Sequence, residues 1–286
     1  MRGATLTLFL AGACWADRAQ DLASQAASQQ AVNCDSGLTS DTCHAQNPTG
    51  CTNAKRLEYD PYLNFLKNQT LAADVVPDGP LNDGDFQSLE EQTPSDIGRN
   101  NHADFANDLA NLHEGNIFAM VGYLYFAEDT GRTTRERGGP DAKGETCNCQ
   151  LKTGDSFDFH LGIGFDALFA RRLRNSRIQP DTRHPGTMEQ TSIVAEMTPH
   201  TRHPTWTFAR VSALRGKQVK VVGQLMLDNM HFNQREDCGF ADALSSCWRG
   251  SAWEIHPVAQ FFVCRVSGSC DKNSPDSEWI ALDDLP

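Results

Sequence analysis

The chain has 286 residues, with 25 Lys+Arg against 37 Asp+Glu and a formal net charge of −12. Its hydrophobic fraction of 39% leaves out 22 glycines; with them it reaches the globular range, which excludes disorder throughout and leaves room for one or two domains. So acidic a balance argues against non-specific affinity for nucleic acid or an anionic membrane, both of which reward a basic surface, although a local basic site stays open.

At the N-terminus, Met1-Arg2-Gly3 precedes an apolar run from Ala4 to Ala13, followed by Cys14-Trp15-Ala16. One positive charge, a short apolar stretch and small residues at its end read as a secretory signal peptide over residues 1–16, with Ala11 and Ala13 placed for cleavage. The run is shorter than the roughly twenty residues a membrane-spanning helix needs, and no later segment qualifies. Ala11-Gly12-Ala13-Cys14 also resembles a bacterial lipoprotein signal, but the usual leucine three residues before the cysteine is missing. A secreted or periplasmic protein is therefore expected, with lipid anchoring at Cys14 as the alternative.

Beyond Cys14 stand Cys34, Cys43, Cys51, Cys147, Cys149, Cys238, Cys247, Cys264 and Cys270, without a CxxC pair. Structural disulfides of an oxidising compartment account for them better than zinc ribbons or a thioredoxin-type centre. Cys238 with Cys247 and Cys264 with Cys270 would each close a short loop. The count is odd, so one thiol is free, intermolecular, or paired with Cys14.

Residues 17–56 read as a polar linker and cysteine-rich loop. Residues 57–115 form an irregular extension with short helices after Asp60-Pro61 and over Asp104–Leu112; the Asp-, Pro-, Gly- and Asn-rich stretch 70–100 shows no period. Asn68-Gln69-Thr70 is a glycosylation sequon that reads as chance. Strands follow over residues 117–126, 158–165, 191–198, 219–228 and 252–264, with an arginine-rich loop at Arg171, Arg172, Arg174 and Arg177. A helix is expected over Trp206–Leu214. Residues 267–286 form an acidic tail on the surface. Three strands, a helix and two strands over residues 116–266 match a five-stranded OB-like barrel, a small closed Greek-key fold with spatial order 1-2-3-5-4; a sandwich fragment is the alternative.

The strand faces carry the site argument. Phe159, Leu161, Ile163 and Phe165 share one face of the second strand, and Asp158 and His160 oppose them. On the third strand Glu196 opposes Ile193, Ala195 and Met197; on the fifth, Glu254 and His256 oppose Trp253 and Ile255. Asp228 ends the fourth strand and His231 follows. In OB order these strands are contiguous, so His160, Glu196, Glu254 and His256 would line one outer surface, with Asp228 and His231 at its rim. His160, Glu196, His231 and His256 are the candidate ligands of a divalent metal, zinc or manganese. Glu196, Glu254 or Asp158 would serve as general base if a reaction occurs. Arg249, Asp228 and Trp206 are candidate contacts to a ligand, with Arg249 neutralising an anionic group. His200, Arg202 and His203, near Trp206, offer an anion-binding edge facing the arginine-rich loop. Ordinary cross-strand pairing explains the same residues without a ligand.

The block Trp253-Glu254-Ile255-His256-Pro257-Val258 and the preceding Val222-Gly223 and Asp228-x-x-His231 carry a resemblance. So do Glu196-x-Thr198-Pro199, Asp158-x-His160, Glu145-x-x-Asn148-Cys149 and Leu63-x-x-Leu66-Lys67-Asn68. Over roughly residues 60–264 the chain resembles a widespread group of uncharacterised bacterial exported OB-like proteins ending in such a block. The resemblance implies an exported OB-like domain and no particular activity. The cysteines at 238 and 247 and the arginine-rich loop depart from the group.

The resulting expectation is an exported OB-like binding module with a His/carboxylate site for a divalent metal or a small anion. The alternatives are a metal-dependent hydrolase of phosphate esters or nucleic acid, in which the metal generates hydroxide, and a structural or protein-interaction domain with a protein partner.

Overall fold

The computed structural model describes residue 24 and residues 40–51, 60–129, 144–151, 156–175 and 189–286. The expected signal peptide, Cys14, Cys34, Arg177 and most of the expected linker lie outside the described residues.

The helices are α1 (Ser40–Gln46), α2 (Pro61–Lys67), α3 (Asp83–Gln92), α4 (Ala106–Asn111), α5 (Ala167–Asn175) and α6 (Phe208–Ser212). The strands are β1 (Pro80–Leu81), β2 (Ile117–Asp129), β3 (Phe159–Gly164), β4 (Ser192–Met197), β5 (Gln218–Leu227), β6 (Trp253–Cys264) and β7 (Trp279–Ala281). The sheet runs β1-β2-β3-β4-β6-β5, and β2 also pairs with β5, so β2 to β6 close a five-stranded barrel. β4 and β6 are parallel and the other barrel neighbours antiparallel. With α6 between β4 and β5, this is the expected OB-like order. β1 and β7 extend the sheet beside β2 and β6.

Alternation along each strand sends Leu161, Ile163, Ile193, Ala195, Leu225, Leu227, Trp253 and Ile255 into one buried core. Glycine lets rings cross the sheet: a Cβ at Gly162 would stand 1.9 Å from Phe126 Cε1.

Several segments expected to be irregular are ordered for readable reasons. Asp60 accepts the N–H groups of Tyr62 and Leu63 at 3.0 Å, and Pro61 opens α2 without a lost donor. α3 falls inside the stretch that shows no period; its start is an Asn82/Asp85 capping box, and Phe86 and Leu89 are its core contacts. The arginine-rich loop is instead largely the helix α5. Asp166 accepts from Leu168 and Phe169 at its start, and Ala170 and Leu173 are buried while Arg171, Arg172 and Arg174 are exposed. The tail is only partly a surface element: β7 pairs with β6, and Leu282 is fully buried in the core.

Disulfides join Cys43–Cys149, Cys238–Cys247 and Cys264–Cys270, and Cys51 is disulfide-bonded as well. The two short-loop pairs are those expected; the long link between α1 and the 144–151 segment was not legible. Gly50 serves the same contact, with φ +68° and its Cα so close to Thr146 that a Cβ would lie 2.0 Å from the carbonyl oxygen. Cys147 is the free cysteine among the described residues, and it is buried.

Gly162→Ala is expected to cost about 1–3 kcal/mol in urea denaturation, the range for overpacking a well-filled core. Gly79→Ala, where an added Cβ meets nothing within 4 Å, serves as its control at about ±0.5 kcal/mol. Equal behaviour of the two would contradict the ring-over-glycine packing.

Candidate functional site

Register explains why the polar residues converge. His160 on β3 is directly opposite Glu196 on β4. Ala195 on β4 is opposite Ile255 on β6, which brings Glu196 alongside Glu254 and His256 on the outward face. Met226 pairs with Glu254, and Asp228 stands just past the end of β5.

This face does not meet solvent as a bare barrel surface would. α2 packs Leu63 and Leu66 against Met226, and the 144–151 segment closes beside it. Asn68 Nδ2 donates to the Cys147 carbonyl at 3.0 Å and Gln224 Nε2 to the Leu66 carbonyl at 3.0 Å, which ties the cover down. Asn68 is thereby buried, consistent with a chance sequon. The expected open surface is therefore an enclosed layer, because the N-terminal extension folds onto it. Asp158, Glu196, Asp228, Arg249, Glu254 and His256 are each at most 1% exposed.

Within the layer His160 Nε2 lies 3.1 Å from Glu196 Oε1. His256 Nδ1 is 3.1 Å from Glu196 Oε2 and 3.0 Å from Glu254 Oε1. His256 Nε2 meets Thr198 Oγ1 at 2.7 Å, and Thr198 Oγ1 donates to the Lys67 carbonyl at 3.3 Å. Both ring nitrogens of His256 thus face acceptors, the arrangement of a charged imidazole. At the other end Lys67 Nζ donates to Asp228 at 2.8 Å, and Arg249 donates to Glu254 and to the Ser251 carbonyl.

The charges set one another. Burial opposes protonation of His160, but Glu196, then Glu145 and Asp158, push it up to about 10. Burial likewise opposes the charge on His256, and Glu196 and Glu254 raise it to about 9. Glu196, against its own burial, is held well below the usual carboxylate range by His160, Lys67 and His256; Asp228 is held low by Lys67, His231 and Arg249. Burial, with Asp158 beside it, lifts Glu145 to about 7, and burial also raises Asp158.

Three overlapping groups offer ligand atoms within 4.8 Å of one another: Glu145, Asp158 and His160; Asp158, Glu196 and His256; Glu196, Asp228 and Glu254. The third already contains protein cations, Lys67 on Asp228 and Arg249 on Glu254. In the second, His256 Nδ1 is already taken up between Glu196 and Glu254. The first lies at the edge of the cover, where the His160 side chain is 18% exposed and Glu145 is half-buried.

Of the residues singled out in the sequence, Asp158, His160, Glu196, Asp228, Glu254 and His256 come together. His231 stands at the margin, 2.6 Å from Glu236 and 3.7 Å from Asp228. Trp206 is elsewhere, donating Nε1 to Asp283 at 2.7 Å. Arg249 is sealed inside and neutralises the protein's own carboxylates. The expected anion edge is also engaged: Arg202 donates to the Phe157 and Met197 carbonyls at 3.0 Å, and His203 pairs with Asp283 at 3.0 Å. Lys67, Glu145 and Thr198 were missed as site residues. Lys67 and Glu145 come from a short helix and a loop, where no face periodicity applies, and Thr198 shares the Glu196 face at the end of its strand; all three fall in the sequence blocks that carried the resemblance.

No family model, curated protein or solved structure matches the chain.

Lys67→Met is expected to destabilise by about 3–5 kcal/mol, because it strands a buried carboxylate. Adding Asp228→Asn should recover most of that loss in chemical denaturation, and no recovery would argue against the pair. The histidines, raised above their ordinary 6.5, stabilise fully below that value and lose the contribution as pH rises through about 9–10. Glu145, raised from 4.5 to about 7, also favours the native state less as pH rises through that window. Glu196 and Asp228, both depressed, lose theirs as pH falls below the usual carboxylate range. Melting of metal-free protein should peak at about pH 5–6 and fall towards pH 10; a flat profile from 6 to 10 would contradict the assignment.

Proposed function

We propose that this protein is an exported binding module that holds a divalent cation, zinc or manganese, between Glu145, Asp158 and His160. The observation that carries the reading is the convergence of one ligand atom from each residue within 4.8 Å at the part-exposed end of the layer. One imidazole and two carboxylates suit zinc or manganese better than a soft cation. Glu145 is oriented by Asn148 Nδ2 at 2.7 Å and by the Asp158 N–H at 3.2 Å, and His160 by Glu196, the outer contacts a metal ligand needs. The carboxylates around His160 form a negative cluster, and a dication would displace the protons held there.

Burial favours binding over hydrolysis. Glu196 and Glu254 are enclosed and ion-paired, so neither reaches a substrate as a general base. A small anionic ligand would approach through the cation, since Arg249 is already neutralised within the layer. Export is supported by the signal-like N-terminus and by disulfides, which persist in oxidising compartments. No described helix is long and apolar enough to cross a membrane.

Protein purified without an affinity tag, stripped and dialysed against zinc or manganese, should retain about one equivalent by elemental analysis and melt higher. Glu145→Gln, which keeps the shape of the side chain, should bind at least about tenfold more weakly. Absence of metal with unchanged melting, or wild-type affinity in the variant, would remove the reading.

A further inference from the structure

A cavity of about 720 Å³ lies away from the ionic layer, between α3, the loop after α4 and the adjoining ends of β2 and β5. That volume is in the range of small-molecule sites. Its floor is apolar: Leu81, Leu89, Leu112, Phe118 and Leu225 line it, and neither β3 nor β4 contributes. Its charged lining residues are Asp78 and Asp85, and no Lys or Arg among the described residues lines it. Asp78 is exposed, and Asp85 gives one oxygen to the Asn82 N–H at 2.8 Å.

The walls are held independently of any occupant. The loop is fixed to β5 by Gly115 N–H donating to the Leu225 carbonyl and Leu225 N–H to the Asn116 carbonyl, both at 2.9 Å. Glu114 within it accepts from the Leu227 N–H at 2.9 Å and pairs with His102. α3 is fixed at its far end, where Ser251 Oγ donates to Glu90 at 2.6 Å and Trp253 Nε1 to Thr93 Oγ1 at 2.8 Å. At the lip His113 has φ +69°, a conformation that costs a non-glycine residue energy, and its ring sits edge-on to Phe118. A rigid apolar floor under a rim of one sign selects by shape and by charge.

We propose that this cavity binds a small organic cation, an amine carrying an apolar body, with the body on Leu112, Phe118 and Leu225 and the ammonium towards Asp78 and Asp85. The site is separate from the cation layer, so either assignment can fail alone.

Calorimetric titration of the full chain with phenethylamine and with hexylamine should show binding, and neutral 2-phenylethanol should bind several-fold more weakly. The double variant Asp78→Asn/Asp85→Asn should weaken phenethylamine roughly fivefold to tenfold, the effect of one exposed and one part-exposed charge. Leu112→Trp, which fills the cavity from a half-buried position, should abolish it, with far-ultraviolet dichroism confirming that both variants fold. No binding of either amine, equal binding of the alcohol, or binding indifferent to both variants would overturn the proposal.

Discussion

Carboxylates buried together on one barrel face must be matched by cations or protons, because the loss of hydration is otherwise too costly. Asp158, Glu196, Asp228 and Glu254 impose that condition here. Lys67 arrives from α2, Arg249 from the loop before β6, and His160 and His256 from the sheet itself. The cover and the barrel are consequently one construction: α2 is placed by Leu63 and Leu66 on Met226, and that placement delivers the ammonium to Asp228. Glu145 enters beside them because Cys149 is tied to Cys43 on α1.

The same device recurs where the extension meets other parts of the barrel. His102 is fully buried, with Nε2 at 2.9 Å from Glu114 and Nδ1 at 2.9 Å from Asn229, and burial is outweighed by Glu114 to raise it to about 9. Glu90, pushed up to about 9 by burial and by Asp237, keeps its proton and accepts from Ser251. Such contacts add little net stability over apolar packing of equal volume. What they add is register, since each polar group finds its partner in only one docking of helix on barrel. The ionic layer then divides in two. The half held by Lys67 and Arg249 is complete within the protein, whereas at the Glu145–Asp158–His160 end burial raises both carboxyls, and the proposed cation belongs to that end.

Strand positions and faces were legible because one face of each strand is apolar and a period of two is unambiguous in Phe159, Leu161, Ile163 and in Trp253, Ile255. That was enough to place Glu196, Glu254 and His256 on a common side before any register was known. α3 was not legible: its apolar contacts are few, and its start depends on a capping box inside an Asp- and Asn-rich stretch that otherwise reads as turn. α5 was hidden by its arginines, which obscure the buried pair Ala170 and Leu173. The tail's acidic composition concealed Trp279 and Leu282, two anchors that hold it to the barrel.

Local chemistry in the amino-acid sequence therefore determined the five barrel strands, their order, the two short disulfide loops and the side of the sheet that bears the histidines and carboxylates. Alternation, loop length and cysteine spacing are short-range properties, readable without the rest of the chain. Whether that side is open or enclosed was decided only in three dimensions, by packing residues 40–51, 60–68 and 144–151 over it. So were the roles of Lys67, Glu145 and Arg249. Countercharge is decided by tertiary contact, as where Lys67 reaches Asp228 across 161 residues of sequence.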